Sequence, residues 1–464
     1  MTDPLEAVSP VDGRYAAITR PLRPFVSEAA LIRGRLRVEV EYLIALADLA
    51  PIDLAFDAAT RERLRELYHE FELDDARAVK RIETEGDDRR PATNHDVKAV
   101  EYWLCDGLED LGLEEAIPWV HFGLTSEDVN NLAYRLLLRD AITEVLEPDL
   151  KAIVDRLRTD AVQHRSVAML ARTHGQPASP TTYGKELAVF AARLERGLDG
   201  VRRAMGELTG KFGGATGTFA AHHTAEPAVD WPDFAASFVE GFDLDYQPLT
   251  TQINPGDDLA TLFDAIARVN TVLLDLDRDC WRYISDGYLV QRSEAGEVGS
   301  STMPHKVNPI DFENSEGNLA KARADLRFLA DRLPESRLQR DLSDSTVKRT
   351  IGASLAHCRI GYVKAVAGLE RVRPDPATME AELEASPAVL AEAIQTALRR
   401  VGDPEAYERL KVATRGVEVD ESAFDELVDR VRSADPALAE RLERLSPATY
   451  TGLADALVDH IDPA

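Results

Sequence analysis

The sequence predicts an all-α protein, and two observations lead to this fold class. Apolar residues recur at intervals of three and four over long stretches of the chain, which is the period of a helix that buries one face. Alternating apolar and polar runs bounded by turns, the pattern of strands, are nearly absent. Several helical stretches carry apolar positions on more than one face. Such helices are typical of a central bundle that also packs against other subunits, so we expect an oligomer.

Two of the long helices can be placed before residue 210. The first is predicted to begin at Thr125 or Ser126, because Thr125 and Asp128 are spaced as in a capping box, although Asp replaces the usual Glu. Its apolar positions continue toward Pro148. The apolar face of the second helix consists of Leu187, Phe190, Leu194, Leu198 and Val201. Each stripe predicts a helix that is buried along one side.

A third long helix is predicted to open with Asn254 as its N-cap and Pro255 at the first helical position. Its buried stripe is predicted to contain Leu259, Leu262, Phe263, Ile266, Val269, Leu273 and Leu276. The glycine-rich stretch from Thr209 to Phe219 precedes this helix. Phe212 follows Gly210-Lys211, so the P-loop pattern fails, and we interpret the stretch as a loop packed against the bundle.

Interruptions in the helical pattern divide the chain into three predicted domains. A chain of 464 residues is too long for one compact core. An acidic loop ends at a turn around Pro118, and two prolines interrupt helix formation between Arg373 and Pro376. The predicted domains are an N-terminal helical domain (1–124), a central helical-bundle domain (125–372) and a C-terminal helical domain (373–464).

The charge of the chain restricts its partners. With 54 Lys and Arg against 82 Asp and Glu, the formal net charge is −28, which argues against nucleic acid because phosphate backbones are bound by clustered basic residues. An anionic substrate must therefore be held by a local basic pocket. Only ten of the basic residues are lysines, and the acidic excess is spread along the chain. This pattern resembles proteins of a halophilic, high-salt cytoplasm, where screening reduces self-repulsion; an ordinary acidic protein is the alternative.

Targeting segments and metal sites are not indicated. No stretch approaches the roughly 18 to 20 apolar residues of a membrane span, and the N-terminus, with Asp3 and Glu6, does not resemble a signal peptide, so we expect a cytoplasmic protein. Cys105, Cys280 and Cys358 are far apart and are expected to be buried apolar residues rather than disulfide or zinc ligands. The histidines show no HExxH pattern, and we expect no structural metal.

Three segments carry the most specific signals. The first, GEVGSSTMPHKVNP at 296–309, predicts a mobile loop whose NH groups and hydroxyls close over an anion. On composition alone, a flexible surface loop is the alternative. As an ordered string, the segment matches the GSSxMPxKxNP signature of the fumarase/aspartase superfamily. HFGLTSED at 121–128 and RTHGQPA at 172–178 resemble the other signature regions of that superfamily and occur in the same order.

Three further strings narrow the resemblance. SPVDGRY at 9–15, TNHDVKAVEY at 93–102 and the run from Ser300 through ENSEGN at 313–318 are typical of the adenylosuccinate lyase family, which the chain resembles over nearly its whole length. The resemblance implies a three-domain fold with a central long-helix bundle, a homotetramer whose sites each draw on three subunits, and no cofactor. A longer charged loop at 85–91 departs from the family pattern and leaves the path near Asn94 open. The alternatives are another superfamily lyase, such as argininosuccinate lyase, and an inactive protein that retains the fold.

The resemblance also assigns the catalytic groups. Elimination of fumarate needs a base that removes a poorly acidic proton beside a carboxylate and an acid that protonates the departing nitrogen. By resemblance Ser300 is the base and His174 is the acid. NH dipoles of the loop and the charge of Lys306 would stabilise the serine alkoxide, and Lys306 and Asn308 would stabilise the aci-carboxylate intermediate. Glu313 would hold the histidine in its protonated form. Without the motifs, His174 would be a structural histidine and Glu313 an exposed helix charge.

The implied substrates are adenylosuccinate and the succinyl-carboxamide imidazole ribotide SAICAR, which share a phosphate and a succinyl group. Guanidinium groups suit a phosphate because they donate in a planar fork. The implied nucleotide- and phosphate-binding set is Arg14, Tyr15, Arg340, Ser345 and Arg349. Their neighbours Thr346, Val347 and Lys348 are also expected to bind the substrate. The residues expected at the base, ribose and succinyl portions are Asn94, His95, Asp96, Thr125, Ser126, Gln252 and Ser301, with His121, Val307 and Asn314 nearby.

Overall fold

The structure is a computed structural model that describes residues 3–292, 303, 306–415 and 421–461. Helices dominate these ranges, which confirms the predicted all-α class. The strands in the same ranges form three two-stranded pairs. Short 3-10 helices lie at Pro4–Glu6, Arg20–Leu22, Glu114–Trp119, Pro387–Leu390, Glu421–Phe424 and Val458–Ile461. In the described ranges, no helix is long and apolar enough to cross a membrane.

The helices up to residue 163 include the first predicted long helix. They are α1 (Ala16–Thr19), α2 (Arg23–Val26), α3 (Glu28–Leu46), α4 (Ala58–His69), α5 (Leu73–Thr84), α6 (Asp96–Leu111), α7 (Ser126–Ala141) and α8 (Glu147–Gln163). Helix α7 begins with the predicted capping box, in which Thr125 N donates to Asp128 Oδ2 at 2.8 Å. A π-helical segment, Ile142–Leu146, links α7 to α8. Pro148 therefore lies in the first turn of α8, directly after the π-helical segment.

The middle of the chain contains the other two predicted long helices. Its elements are β1 (Ala168–Thr173), β2 (Gln176–Thr182), α9 (Tyr183–Gly206), β3 (Thr209–Gly210), α10 (Ala220–Ala225), α11 (Trp231–Glu240), β4 (Asp245–Tyr246), α12 (Asp257–Ser285) and β5 (Leu289–Gln291). The predicted apolar stripes of α9 and α12 are buried. The predicted start of α12 was wrong, because Asn254 is not its N-cap. The Asn254 amide donates to Thr209 O at 3.0 Å, and the helix begins at Asp257.

The last part of the chain begins with another long helix. Its elements are α13 (Ile310–Arg332), α14 (Ser343–Lys348), α15 (Ile351–Arg371), β6 (Val372–Pro374), α16 (Pro376–Glu384), α17 (Ala391–Arg400), α18 (Ala406–Thr414), α19 (Asp425–Ala434), α20 (Pro436–Glu443) and α21 (Ala454–Leu457). The predicted proline break is present between α15 and α16. The second proline of this break, Pro376, occupies the first position of α16, and Asp375 is the N-cap of that helix.

The described chain divides into two compact units. Unit 1 comprises residues 1–150, 197–271 and 317–363, and unit 2 comprises residues 151–196, 272–316 and 364–464. The predicted division into 1–124, 125–372 and 373–464 stays a prediction. Cys280 and Cys358 are buried, as predicted, whereas Cys105 is half-buried. Among the described residues, no group of three His, Cys, Asp or Glu side chains is placed to hold a metal ion.

In unit 1, α3 packs against α4, α6 and α7. Tyr42, in the C-terminal part of α3, belongs to an aromatic cluster, with its ring centroid 5.1 Å from that of Phe212 and 5.7 Å from that of Phe238. Its hydroxyl donates to Phe122 O at 2.8 Å. This core therefore holds both the segment before α7 and the glycine-rich stretch that contains Phe212.

In unit 2, β1 and β2 form an antiparallel hairpin that packs against α16. A small core of Leu170, Leu383 and Val389 joins these elements. A second core packs α17, α18, α19 and α20 together through Ile394, Ala397, Leu398, Ala406, Leu410, Phe424, Leu427, Val431 and Ala439. The hairpin is therefore held by α16 and by the small core around Leu170.

Candidate active site

Unit 1 contains a cavity of about 360 Å³, a size that suits a nucleotide-sized ligand. It is lined by Arg35, Glu83, Asn94, His95, Asp96, Ser126, Asn130, Tyr134, Arg340, Leu342, Ser345, Thr346 and Arg349. Eight of these residues are ones that the family resemblance assigns to substrate binding: Asn94, His95, Asp96, Ser126, Arg340, Ser345, Thr346 and Arg349. The fold thus brings these eight residues, from three separate stretches of sequence, around one space. We call this space the unit 1 cavity.

The start of α6 forms one wall of the unit 1 cavity. Asn94 adopts a left-handed conformation, with φ of 50°, and its NH donates to Glu83 O at 2.9 Å. His95 caps α6, because its Nδ1 accepts the NH of Lys98 at 3.2 Å. These bonds fix the path near Asn94 that the longer loop at 85–91 left open. Asp96 then occupies the first turn of α6, where a carboxylate interacts favourably with the helix dipole.

Asp96 is held by a buried arginine that sequence reasoning missed. Arg35 is 4% exposed, and its Nη2 lies 2.7 Å from Asp96 Oδ2 while its Nε donates to Asn130 Oδ1 at 2.8 Å. Burial alone would raise the pKa of Asp96, but the charge and hydrogen bond of Arg35 lower it overall. Asp96 is therefore a fixed anion at neutral pH. Arg349 Nη2 lies 3.7 Å from the same carboxylate, and its side chain is 67% exposed.

A buried carboxylate, Glu127, orients other side chains of the unit 1 cavity. Arg340 Nη2 lies 3.2 Å from Glu127 Oε1 and donates to Ser345 Oγ at 3.0 Å. Lys348 Nζ lies 3.4 Å from Glu127 Oε2 and 2.7 Å from Asp344 Oδ2. Burial acts to raise the pKa of Glu127, but Lys348 and Arg340 lower it. Lys348 is thus a buried ion-pair partner that holds α14 against α7.

Gln252 and Thr125 each adjoin a residue of the unit 1 cavity, Gln252 through Arg340 and Thr125 through Ser126. Gln252 Nε2 donates to Ala215 O at 3.2 Å, and its Oε1 accepts from Arg340 Nη1 at 3.4 Å. Thr125 is the N-cap of α7 and is half-buried, as is Ser126 in the first helical position. Gln252 is therefore tied both to the glycine-rich stretch and to an arginine of the unit 1 cavity.

His121 lies in a charged environment in the segment before α7. Its Nδ1 is 2.6 Å from Glu39 Oε1, and its Nε2 is 3.9 Å from Glu101 Oε1. Burial opposes the charged form, but the two carboxylates raise the pKa of His121 overall. The residue adopts a positive φ of 55°. This geometry favours a protonated imidazole that is anchored to α3.

Some predicted ligands do not line the unit 1 cavity. Arg14 is exposed in the turn before α1, and Tyr15 is the half-buried N-cap of that helix. Val347 is half-buried on α14. The roles expected for these residues stay predictions.

Unit 2 carries His174 at the tip of the β1–β2 hairpin. Thr173 pairs with Gln176, so His174 and Gly175 form a two-residue turn, with φ of 55° and 75°. Positive φ at both positions is the requirement of a type I′ turn, which explains the glycine. Arg172 bonds to Glu382 of α16 and anchors the hairpin, while the His174 side chain is exposed. Sequence analysis predicted the histidine but not the strands that present it.

The segment before α13 carries further predicted groups of unit 2. Lys306 is exposed, and Val307 O accepts from Gln291 Nε2 at 3.0 Å. Asn308 and Asn314 are half-buried. Glu313 is exposed in the first turn of α13, and its Oε1 accepts from Trp281 Nε1 at 3.2 Å, so its expected contact with His174 stays a prediction. The predicted positions Ser300 and Ser301 lie outside the described residues.

Comparisons with known proteins agree with the motifs. A family model described as "Lyase" matches residues 14–323, and one described as "Adenylosuccinate lyase C-terminal" matches residues 336–451. Adenylosuccinate lyases of Legionella pneumophila (strain Corby) and Escherichia coli (strain K12) are each 44% identical to the chain. Both matches cover 98% of this chain, and they cover 98% of the Legionella protein and 99% of the Escherichia protein. The adenylosuccinate lyase of Dictyostelium discoideum is also 44% identical, over 97% of both chains. The chain belongs to the adenylosuccinate lyase family.

Solved structures extend this family result to the fold. A crystal structure of fumarate lyase from Mesorhizobium sp. BNC1 has a TM-score of 0.73 at 21% identity and covers 95% of this chain and 97% of its own. The 3-carboxy-cis,cis-muconate lactonizing enzyme from Pseudomonas putida has a TM-score of 0.71 at 25% identity, covering 95% and 96%. The fumarase/aspartase-like fold implied by the motifs is therefore confirmed.

Proposed function

We propose that the chain eliminates fumarate from adenylosuccinate, giving AMP, and from SAICAR, giving the corresponding carboxamide ribotide AICAR. The observation that carries this proposal is the unit 1 cavity, in which a member of the adenylosuccinate lyase family gathers eight residues expected to bind a succinylated nucleotide. Both substrates are small anions, so the enzyme needs neither a nucleic acid nor a membrane as partner.

The reaction requires two proton transfers. Ser300, as the base, removes a proton from the carbon beside a succinyl carboxylate, and the carbon–nitrogen bond then breaks with its electron pair moving to the nitrogen. His174, as the acid, protonates that nitrogen. Lys306 and Asn308 stabilise the negative charge that develops on the carboxylate before the bond breaks. In this scheme Glu313 keeps His174 protonated, and no cofactor takes part.

The charges around the unit 1 cavity support its role as the nucleotide site. Arg349 is largely free for a phosphate, and Arg340 donates toward the same cavity although Glu127 holds it. Guanidinium groups bind phosphate through paired hydrogen bonds. Because the chain carries a net charge of −28, these local cations are needed to offset the repulsion that an anionic substrate meets elsewhere.

We further propose that the enzyme is a homotetramer with sites shared between subunits. The predicted binding residues of the unit 1 cavity and the predicted catalytic residues His174, Lys306 and Glu313 belong to different units, an arrangement that allows different subunits to contribute them. A mixture of inactive His174→Ala and Ser300→Ala proteins, denatured and refolded together, should then regain part of the activity. A fully active monomer in light scattering would contradict the proposal.

The acidic composition supports a salt-adapted enzyme of the cytoplasm. The excess of Asp and Glu, with 82 against 54 basic residues, extends along the whole chain, as expected where high salt screens self-repulsion. Purified enzyme should then need molar salt for full activity. Equal activity in dilute buffer and in molar KCl would refute the adaptation.

One assay tests the proposed reaction. The purified chain is incubated with adenylosuccinate and, separately, with argininosuccinate, and fumarate is measured in both. We expect fumarate and AMP in equal amounts from adenylosuccinate and no fumarate from argininosuccinate. Fumarate from argininosuccinate alone would assign the chain to a different superfamily activity, and no fumarate from either would indicate a protein that keeps the fold without catalysis.

A further inference from the structure

Unit 1 contains an ion pair that the proposed reaction leaves unused. Lys211 Nζ lies 2.6 Å from Asp128 Oδ1, and both side chains have 0% exposure. Lys211 belongs to the glycine-rich stretch, and Asp128 belongs to the first turn of α7. Buried charges are costly unless they are paired and hydrogen-bonded, so their presence here calls for a specific role.

The Asp128 carboxylate joins two segments of backbone. On the α7 side, its Oδ2 accepts the NH of Thr125 at 2.8 Å. On the loop side, its Oδ1 accepts the NH of Gly213 at 2.9 Å and its Oδ2 accepts the NH of Gly214 at 3.1 Å. A single side chain therefore holds the cap of α7 and the glycine-rich stretch in one arrangement.

Lys211 also links the glycine-rich stretch to α7. Its Nζ donates to Gly214 O at 2.7 Å. Its backbone NH donates to Asn131 Oδ1 at 2.8 Å, and its backbone O accepts from Asn131 Nδ2 at 2.8 Å. Gly214 has a φ of 76°, a conformation that favours glycine. The ammonium group thus fixes the loop residue that also binds Asp128.

We propose that the buried Asp128–Lys211 pair positions Thr125 and Ser126 for the succinyl carboxylate of the substrate. The inference rests on the proposed function, in which these two residues bind that carboxylate. Asp128 and Lys211 touch no substrate and act as positioning residues. A single charged pair with directed hydrogen bonds fixes an orientation that apolar packing would leave looser, and a small displacement of Thr125 weakens its bond to a ligand.

The decisive variant removes both charges. In Lys211→Met/Asp128→Asn no unpaired charge remains in the core, whereas either single change would leave one and would endanger folding. Arg135→Met/Asp258→Asn is the matched control, since Arg135 of α7 and Asp258 of α12 form another buried pair in unit 1 at 2.7 Å, with side chains 2% and 7% exposed. Among the hydrogen bonds of the control pair, none involves Thr125, Gly213 or Gly214.

Two kinetic constants distinguish a loss of positioning at Thr125 and Ser126 from a general disturbance of the substrate site. For Lys211→Met/Asp128→Asn we expect the KM for adenylosuccinate to rise about tenfold or more, while the inhibition constant of AMP, which lacks the succinyl group, stays within about twofold. The control variant Arg135→Met/Asp258→Asn should lower Tm without changing the ratio of the KM for adenylosuccinate to the inhibition constant of AMP. An unchanged KM, or a parallel rise of both constants, would overturn the inference.

A milder variant covers the case in which the double variant does not fold. Gly214→Ala keeps both charges but strains the left-handed backbone, and its Cβ would lie 3.0 Å from Gly123 O. It should raise the KM for adenylosuccinate about threefold while leaving AMP inhibition unchanged; equal effects on both would count against the inference. If the wild-type enzyme releases no fumarate from adenylosuccinate, the proposed function and this inference are both overturned. If the wild type is active and the variants have unchanged constants, only the inference is overturned.

Discussion

The unit 1 cavity and the catalytic segments of unit 2 differ in how their side chains are held. In the cavity, buried Arg35 fixes Asp96 and buried Glu127 fixes Arg340, through contacts of 2.7 Å and 3.2 Å. In unit 2, His174 and Lys306 are exposed; His174 lies at a hairpin tip and Lys306 lies within the signature segment 296–309. The binding groups are thus preorganised within unit 1, whereas His174 and Lys306 are exposed in unit 2.

This difference separates the two kinds of change that a mutation can cause. Removing a group of the cavity disturbs an ion-pair network and should alter both binding and stability. Removing an exposed catalytic group of unit 2 should alter turnover while leaving stability almost unchanged. Comparing activity with stability in the same variants therefore tests whether the two regions have distinct roles.

The largest effect is expected at the hairpin tip. His174→Ala should lower kcat roughly a hundredfold or more, because it removes the acid that protonates the leaving nitrogen. The side chain is exposed, so Tm should stay within about 2 °C of the wild type. His223→Ala, at another exposed histidine, is the control and should keep full activity. Near-normal turnover in His174→Ala would remove the histidine from the mechanism.

Two arginines of the unit 1 cavity test whether binding and stability are linked there. Arg349→Gln and Arg340→Gln should each raise KM roughly tenfold to a hundredfold, since each loses a charged hydrogen bond to phosphate, of about 1.5 to 3 kcal/mol. Only Arg340→Gln should also lower Tm, because Arg340 is 17% exposed and its loss removes a partner of buried Glu127, whereas Arg349 is 67% exposed. Equal melting temperatures for the two variants would show that the Glu127 network does not stabilise the fold.

Salt should act on the acidic surface more than on the buried pairs of the cavity. Between 0.1 and 2 M KCl, Tm should rise by on the order of 5 °C, because screening reduces repulsion among exposed carboxylates. Thermal melts across the series, with sucrose at matched osmolality as the control, provide the measurement. A Tm that is flat or falls with KCl would contradict adaptation to salt.

The smallest effect concerns the His121–Glu39 pair of unit 1. Because the carboxylates raise the pKa of His121 in the folded state, the pair stabilises the fold fully below the unfolded pKa, and this contribution is lost as pH rises through the folded pKa. The difference in free energy of unfolding between wild type and His121→Gln should therefore be larger at pH 6 than at pH 9. Urea melts at both values measure it, and a difference that grows with pH would exclude the ion pair.

Local patterns in the sequence predicted much of this architecture. The buried stripe of α12 and the capping box of α7 depend on residues within a few positions of each other, and both were confirmed. The start of α12 was wrong because Asn254 bonds to Thr209, which lies 45 residues earlier. The β1–β2 hairpin was missed because its strands, AMLART and QPASPTT, lack clear alternation of apolar and polar residues.

The candidate site shows the same limit. Its expected ligands came from contiguous motifs, and the structure places eight of them around the unit 1 cavity. The groups that orient them were not predictable in this way. Arg35 lies 61 residues from Asp96 and 95 from Asn130, and no local pattern links such distant partners. Lys211 gave no signal either, because the failed P-loop pattern was the only motif around it.

The most direct measurement follows fumarate release from adenylosuccinate and from SAICAR with one enzyme preparation, for the wild type and for Lys306→Ala. Both substrates carry the same phosphate and the same succinyl group, so a single site should place either one in the same reacting geometry. We expect the wild type to cleave both, and Lys306→Ala to lower both rates by the same factor. Loss of one activity with retention of the other would show that the two reactions do not share one site.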